Sequence, residues 1–175
     1  MNNPINYIAP LAGILKLDQI AFLSRSDEDT ANIKRMLRLS QAEWVHDDVV
    51  AEGFVFGQPE ECVNHAHLEF CYAYGIEVEI LRYTKGANYP DIDGRYMTSR
   101  RPVHFGFHVD KGKKLPEAFE HSTFPTNILQ RVRTLSHTNE FLLRTGRKYQ
   151  YTIYDTVPLF GVHLKVIERI PGENE

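Results

Sequence analysis

The sequence predicts an α+β fold built from two tandem copies of one module, each with the chain order strand, helix, strand, strand, strand. Two pairs of matching segments indicate the repeat: residues 19–23 align with 104–108, and residues 75–81 align with 161–167. The two separations, 85 and 86 residues, are nearly equal. A repeat of this length is too long for a solenoid and suits the duplication of a small module.

The first copy is predicted from periodicity and from a capping signal. Residues 17–24 alternate in character, which indicates a strand. Ser26 with Asp29 resembles a capping box for a helix over residues 28–39. The predicted apolar stripe of this helix consists of Ile33, Met36 and Leu37. Three further strands are predicted over residues 43–55, 66–74 and 77–83.

The second copy is predicted to repeat this order. Residues 103–109 form its first strand, and Asn127 is placed to cap a helix over residues 128–135. The predicted apolar face of this helix consists of Ile128, Leu129, Val132 and Leu135. The remaining strands are predicted over residues 141–144, 149–154 and 162–170. Residues 111–126 break the symmetry and are expected to cover one mouth of the fold as a loop or short helix.

Composition limits the function without naming it. A net charge of −3 gives no reason to expect nucleic acid as a partner, and two cysteines are too few for a disulfide framework. The apolar run over residues 8–15 is far too short to span a bilayer, so a soluble cytoplasmic protein is expected. The expected organisation is listed by range: an arm over 1–15, a first module over 16–84, a linker over 85–101, a second module over 102–170 and a tail over 171–175.

Three segments give the chain a family resemblance. Residues 17–22, 78–81 and 103–109 occur in the order and at the separations seen in the vicinal oxygen chelate superfamily, which includes glyoxalase I, bleomycin-resistance proteins and extradiol dioxygenases. The resemblance covers residues 16–170. It implies that the two modules form a shared incomplete barrel around a cup for a small molecule, and it implies a homodimer, which is common in this family.

The resemblance also implies where ligands of a metal would lie. The family takes them from the first and last strands of each module, which places Gln19, Glu79, His104 and Lys165 at the four positions. The first three resemble the glyoxalase I pattern and suit Zn²⁺, Ni²⁺, Co²⁺ or Fe²⁺. Lys165 departs from the usual Glu, because a protonated lysine repels a cation and offers no lone pair.

This departure leaves three hypotheses for the site. In the first, a metal is held by Gln19, Glu79 and His104, with His163 or water completing the set. In the second, Lys165 takes the place of the cation and forms an ion pair with Glu79. In the third, Lys165 acts as a base or nucleophile after burial lowers its proton affinity.

Other polar residues are expected around this site. Alternation aims His108, Glu77 and His163 at the cup, where they would bind substrate. Residues 65–69 place His65, His67 and Glu69 on one strand face, but an ordinary half-buried strand explains the pattern. Residues 46–48 are expected to be solvated.

The sequence therefore supports two classes of function. One is a metal-dependent lyase, isomerase or oxygenase of the glyoxalase type, in which the metal is a Lewis acid and Glu79 is the general base. The other is a non-catalytic binder of the bleomycin-resistance kind, which sequesters a small molecule in a metal-free cup.

Overall fold

The computed structural model describes residues 15–87, 101–109, 127–172 and 174. Nearly all of the predicted arm, most of the predicted linker and the predicted covering segment 111–126 lie outside the described residues. None of the described helices is long and apolar enough to cross a membrane.

Eight described strands form a closed barrel. In chain order they are β1 (Leu15–Leu23), β2 (Val45–Val55), β3 (Cys62–Ala73), β4 (Ile76–Lys85), β5 (His104–Val109), β6 (Ile128–Ser136), β7 (Lys148–Tyr154) and β8 (His163–Ile170). Around the barrel their order is β1-β4-β3-β2-β6-β7-β8-β5. The order within the first four strands is thus repeated within the last four. The antiparallel pairs β1–β5 and β2–β6 join the two halves and close the ring.

The repeat is also present in the register of the strands. The two pairs β1–β4 and β5–β8 are parallel, although every other pairing in the barrel is antiparallel. Gln19 lies opposite Glu77 in the first pair, and His104 lies opposite His163 in the second. The alignment made from sequence therefore matches the two halves residue by residue at these strands.

The first predicted helix is present as α1 (Asp27–Met36). Its N-cap is Ser26, whose hydroxyl oxygen accepts a hydrogen bond from the Asp29 backbone N–H at 3.1 Å. Ile33 is buried against the outer face of the barrel, whereas Met36 is 47% exposed and does not belong to the buried stripe as predicted. The helix therefore covers the first half of the barrel mainly through Ile33.

Two predictions in the second half are wrong. Residues 128–135, predicted as a helix capped by Asn127, form strand β6, which pairs with β2 on one side and β7 on the other. Residues 141–144, predicted as a strand, belong to helix α2 (Glu140–Thr145). Asn139 caps this helix by accepting from the Leu142 N–H, and Gly146 ends it with a φ of 69°. Gly146 in this left-handed conformation is a typical helix C-cap.

Side chains of alternating positions fill the barrel. The apolar part of the interior combines residues from both halves: Ala21, Leu23, Val49, Ala66, Leu68, Leu81, Val103, Leu129 and Ile153. A short helix, α3 (Val157–Phe160), connects β7 to β8. The interior is not uniformly apolar, because polar side chains such as Gln130 and Thr134 are buried in it as well.

Candidate functional site

Four buried polar residues meet inside the barrel. They come from β1, β4, β5 and β8, the two parallel strand pairs, and are Gln19, Glu79, His104 and Lys165. None is more than 4% exposed. The structure thus brings together the four residues that the repeat placed at matching positions.

The Lys165 ammonium is the centre of this group. Its nitrogen, Nζ, donates to Glu79 Oε2 at 3.0 Å and lies 3.3 Å from Glu79 Oε1. It also donates to Gln19 Oε1 at 3.0 Å. The ring of Tyr151 lies on another side, with its centroid 4.2 Å from Nζ. Lys165 is therefore held by a carboxylate, an amide oxygen and an aromatic face.

His104 completes the hydrogen bonding of Glu79. Its Nε2 lies 3.0 Å from Glu79 Oε2. Burial, together with the nearby Lys165 ammonium, lowers the pKa of His104 to about 4, so the imidazole is neutral at neutral pH. A neutral ring that donates from Nε2 to the carboxylate satisfies both groups.

The charge state of Glu79 follows from the same contacts. Burial alone would raise the pKa of this carboxyl, but the Lys165 ammonium and the His104 hydrogen bond together lower it to about 2. Glu79 is therefore ionised across the physiological range, and the site contains one buried ion pair. Burial raises the pKa of Tyr151 and keeps its phenol neutral.

Gln19 links this ion pair to the larger cavity of the barrel. Its Oε1 accepts from Lys165, while its Nε2 donates to Glu77 Oε1 at 2.7 Å. Gly106 lies beside it on β5, where an added Cβ would come within 2.7 Å of Gln19 Oε1. The glycine thus provides the space in which the Gln19 side chain reaches both partners.

The larger cavity, called the cup from here on, has a volume of about 350 Å³. Gln19, Glu77 and His108 line one part of it. Its aromatic lining consists of Phe70, Phe141, Tyr149 and Tyr151. Glu79, His104 and Lys165 line a smaller adjoining space of about 40 Å³, which shares Tyr151 with the cup. The ion pair therefore lies beside the cup, and Gln19 lies between them.

The three predicted substrate-binding residues have different surroundings. Glu77 lines the cup, and burial raises the pKa of its carboxyl despite the hydrogen bond from Gln19. His108 also lines the cup, and its Nδ1 lies 2.7 Å from the Asp18 carboxylate. His163 is fully buried, lies 3.7 Å from Asp155 Oδ1, and is not part of the cup lining.

The donor chemistry decides whether a metal fits at Gln19, Glu79 and His104. The Lys165 ammonium already takes the Gln19 and Glu79 oxygens, and His104 Nε2 points at Glu79 Oε2. A divalent ion would compete with the ammonium for the same lone pairs and would be repelled by it. The residues as arranged do not fit a metal ion while Lys165 stays in place.

A second group of metal-ligating side chains lies on the outer wall of the barrel. His46, His67 and Glu69 place one ligand atom each within 4.8 Å of one another, so this group could hold a metal ion. Sequence reasoning treated residues 46–48 and 65–69 separately as solvated or half-buried. The missing information was the register, which sets His46 opposite Glu69 across β2 and β3.

Tyr151 is a site residue that the sequence analysis missed. The signal available was its place two residues before Ile153 on the predicted strand 149–154, which puts both side chains on one face. Ile153 lies opposite Lys165 in the barrel.

Comparisons with known proteins find a similar solved structure but assign the chain to no family. No protein-family model matches the chain, and no curated protein matches it at a significant level. Among solved structures, a triple mutant of 4-hydroxymandelate synthase from Streptomyces coelicolor is similar, with a TM-score of 0.46 and 12% sequence identity. The match covers 91% of this chain and 50% of that chain, so this chain spans about half the length of the synthase.

Proposed function

We propose that this protein binds a small organic molecule in the cup, and that an ion pair stands where metal-dependent vicinal oxygen chelate proteins hold a metal. The observation that carries the proposal is the position of Lys165 Nζ, which bonds Gln19 Oε1 and both oxygens of Glu79. Each oxygen that a metal would need from these two residues accepts from the ammonium instead.

The size and lining of the cup support a ligand of modest size. Pockets for small molecules are usually about 300–1,000 Å³ and combine apolar walls with a few polar groups. The cup has about 350 Å³, a wall of aromatic and aliphatic side chains, and charged groups in its lining, namely the acids Asp47 and Glu77 and the cation Arg147. These features favour an aromatic molecule that presents a hydrogen-bond donor to Glu77.

The electrostatics of Glu77 favour an amine as that donor. Burial raises the pKa of this carboxyl, and the neighbouring Glu79 carboxylate raises it further. A cationic amine placed beside Glu77 would favour its ionised form and form a charge-assisted hydrogen bond. A carboxylate in the same place would be repelled.

A matched pair of probes tests this proposal. Phenethylamine and phenylpropionate share a similar aromatic body and carry opposite charges. Saturation-transfer NMR, recorded with each probe in turn, shows whether the cup binds the cation or the anion. We expect phenethylamine to bind and phenylpropionate to bind more weakly. Glu77→Gln and Tyr149→Ala should each weaken the binding of phenethylamine. Phe54→Ala removes an aromatic side chain away from the cup lining and should leave that binding unchanged. Equal signals from both probes, or an amine signal that survives both cup variants, would contradict the proposal.

A second candidate function keeps the metal-dependent chemistry of a lyase, isomerase or oxygenase. It is favoured by the meeting of Gln19, Glu79 and His104 within one site, and it requires Lys165 to leave the position in which it bonds the first two. Lys165→Glu separates the candidates. If the site is built for a metal, this change adds a ligand and a negative charge, and affinity for Zn²⁺, Ni²⁺ or Co²⁺ rises in calorimetric titration.

The binding proposal expects a different result from the same variant. Lys165→Glu would place two carboxylates together and lower the melting temperature without a gain in metal affinity. His104→Ala is the companion variant, because it would lower metal affinity only if the metal lies inside the barrel.

We also propose that the two halves of the barrel are copies of one four-stranded module. The support is the repeated strand order and the equal register of the two parallel pairs.

A further inference from the structure

We propose a zinc site on the outer wall of the barrel, formed by His46, His67 and Glu69. It is separate from the cup and independent of the function proposed for it. Strands β2 and β3 build it, because their antiparallel register sets His46 opposite Glu69 and Asp48 opposite His67. Side chains two apart on a strand share a face, so all four point away from the cup side of the sheet.

His67 is oriented as a metal-bound histidine usually is. Its Nδ1 lies 2.7 Å from Asp48 Oδ1, so the carboxylate fixes the tautomer with the proton on Nδ1. The other ring nitrogen, Nε2, then presents a lone pair and lies 3.9 Å from Glu69 Oε1. Zinc-bound histidines are commonly oriented in this way: one ring nitrogen donates to a carboxylate, and the other is left to bind the metal.

Glu69 and His46 supply the other ligand atoms. The Glu69 side chain is 9% exposed, and its Oε2 bonds the Lys34 ammonium at 2.5 Å. Its Oε1 faces His67. The His46 side chain is 55% exposed, its Nδ1 lies 3.6 Å from Glu69 Oε2, and its ring stacks on that of His67 with centroids 5.7 Å apart. The exposed ring of His46 has room to turn its nitrogen toward the centre of the group.

The chemistry of the group favours zinc over calcium or magnesium. Two imidazole nitrogens and one carboxylate oxygen match the three-ligand zinc sites of proteins, in which water takes the fourth position. Calcium and magnesium prefer all-oxygen sets. Around the group, the three carboxylates of Asp27, Asp48 and Glu69 outnumber the two cations of Lys34 and Arg82, so the local charge also favours a cation.

The position of Trp44 provides a direct readout. It is the only tryptophan of the chain, it lies two residues before His46, and Lys34 Nζ lies 4.7 Å from its ring centroid. Co²⁺ bound at this group should therefore quench Trp44 fluorescence, while the visible absorption of Co²⁺ reports tetrahedral coordination. Zn²⁺ added afterwards should displace Co²⁺ and restore the fluorescence.

The test is calorimetric titration of the full chain with Zn²⁺, paired with Co²⁺ quenching of Trp44. We expect one ion per chain. His67→Ala and His46→Ala should each lower the affinity by about 100-fold, and Asp48→Asn by about 10-fold because it removes only the orienting carboxylate. His65→Ala, on the same strand face but outside the group, should change the affinity by less than about twofold.

Three outcomes would overturn the proposal. One is the absence of Zn²⁺ binding by the wild-type chain. Another is affinity that survives both His67→Ala and His46→Ala. The last is affinity lost with His104→Asn and retained with His67→Ala, which would place the ion inside the barrel. Circular dichroism of each variant shows that it has folded, so lost binding cannot be mistaken for lost structure.

Discussion

Replacing Lys165 with methionine removes one partner of the buried ion pair and keeps a side chain of similar length. The Lys165→Met variant leaves the Glu79 carboxylate, which is 2% exposed, with the hydrogen bond from His104 but without the ammonium. It also removes the donor to Gln19 Oε1. A buried charge without its partner is among the few single changes that destabilise a protein strongly.

The pKa of Glu79 gives the size of the effect. The pKa is lowered from 4.5 to about 2, and each pH unit corresponds to about 1.4 kcal/mol, so the surroundings of the carboxylate stabilise the folded state by roughly 3 kcal/mol at neutral pH. Removing one partner of a buried pair typically costs about 3–5 kcal/mol. His104 retains part of the stabilisation, so we expect a loss near the lower end, about 3 kcal/mol.

Urea unfolding, followed by circular dichroism and by Trp44 fluorescence, measures this loss. The loss should shrink at about pH 3, because a protonated Glu79 needs no counter-charge. Lys148→Met, a change at an exposed lysine, should stay within about 0.5 kcal/mol of wild type. Adding Glu79→Gln to Lys165→Met should recover part of the loss. A loss below about 1 kcal/mol, or an equal loss at both pH values, would refute the reasoning.

Three further predictions test other parts of the structure. Gly106→Ala places a Cβ 2.8 Å from the Gln19 Cβ and should lower the free energy of unfolding by about 1–3 kcal/mol in urea; an unchanged value would show that Gln19 adjusts freely. Asn139→Ala removes the acceptor for the Leu142 N–H and should cost about 1 kcal/mol in the same assay, whereas Asn139→Asp, which keeps an acceptor, should cost little. The folded pKa of Glu79 is depressed, so its stabilisation is fully present above pH 4.5 and is lost as the pH falls toward about 2; melting temperatures across that range should show this component in wild type and lack it in Glu79→Gln.

The strands of the first half could be predicted because their periodicity agrees with their burial. In the second half, the helix predicted over residues 128–135 was wrong because the barrel interior is polar near the site. Gln130 and Thr134 are buried on β6, whereas Leu135 is 40% exposed. Apolar residues therefore did not mark the inner face, and their helical spacing over 128–135 was coincidental. Pairing with strands on both sides decided the structure.

The site could be predicted where the repeat carried the information. The family resemblance, applied to the two matched halves, predicted that Gln19, Glu79, His104 and Lys165 lie at one site. The repeat could not show that Asp18 binds His108, because that contact joins unmatched positions across β1 and β5. It also could not show that His46 lies opposite Glu69, since register within a hairpin depends on its loop.

The order of strands around the barrel has a consequence for how the chain folds. The neighbours of β1 are β4 and β5, so its first partner follows only after two intervening strands have been synthesised. Pairings between such distant segments are slow to form, because the chain loses entropy in closing a long loop before any stabilising contact is made. β8, which carries Lys165, is the last of the described strands. Until it docks, Glu79 lacks the Lys165 ammonium, so an incomplete chain emerging from the ribosome would hold this carboxylate without its counter-ion and could not complete the buried polar cluster.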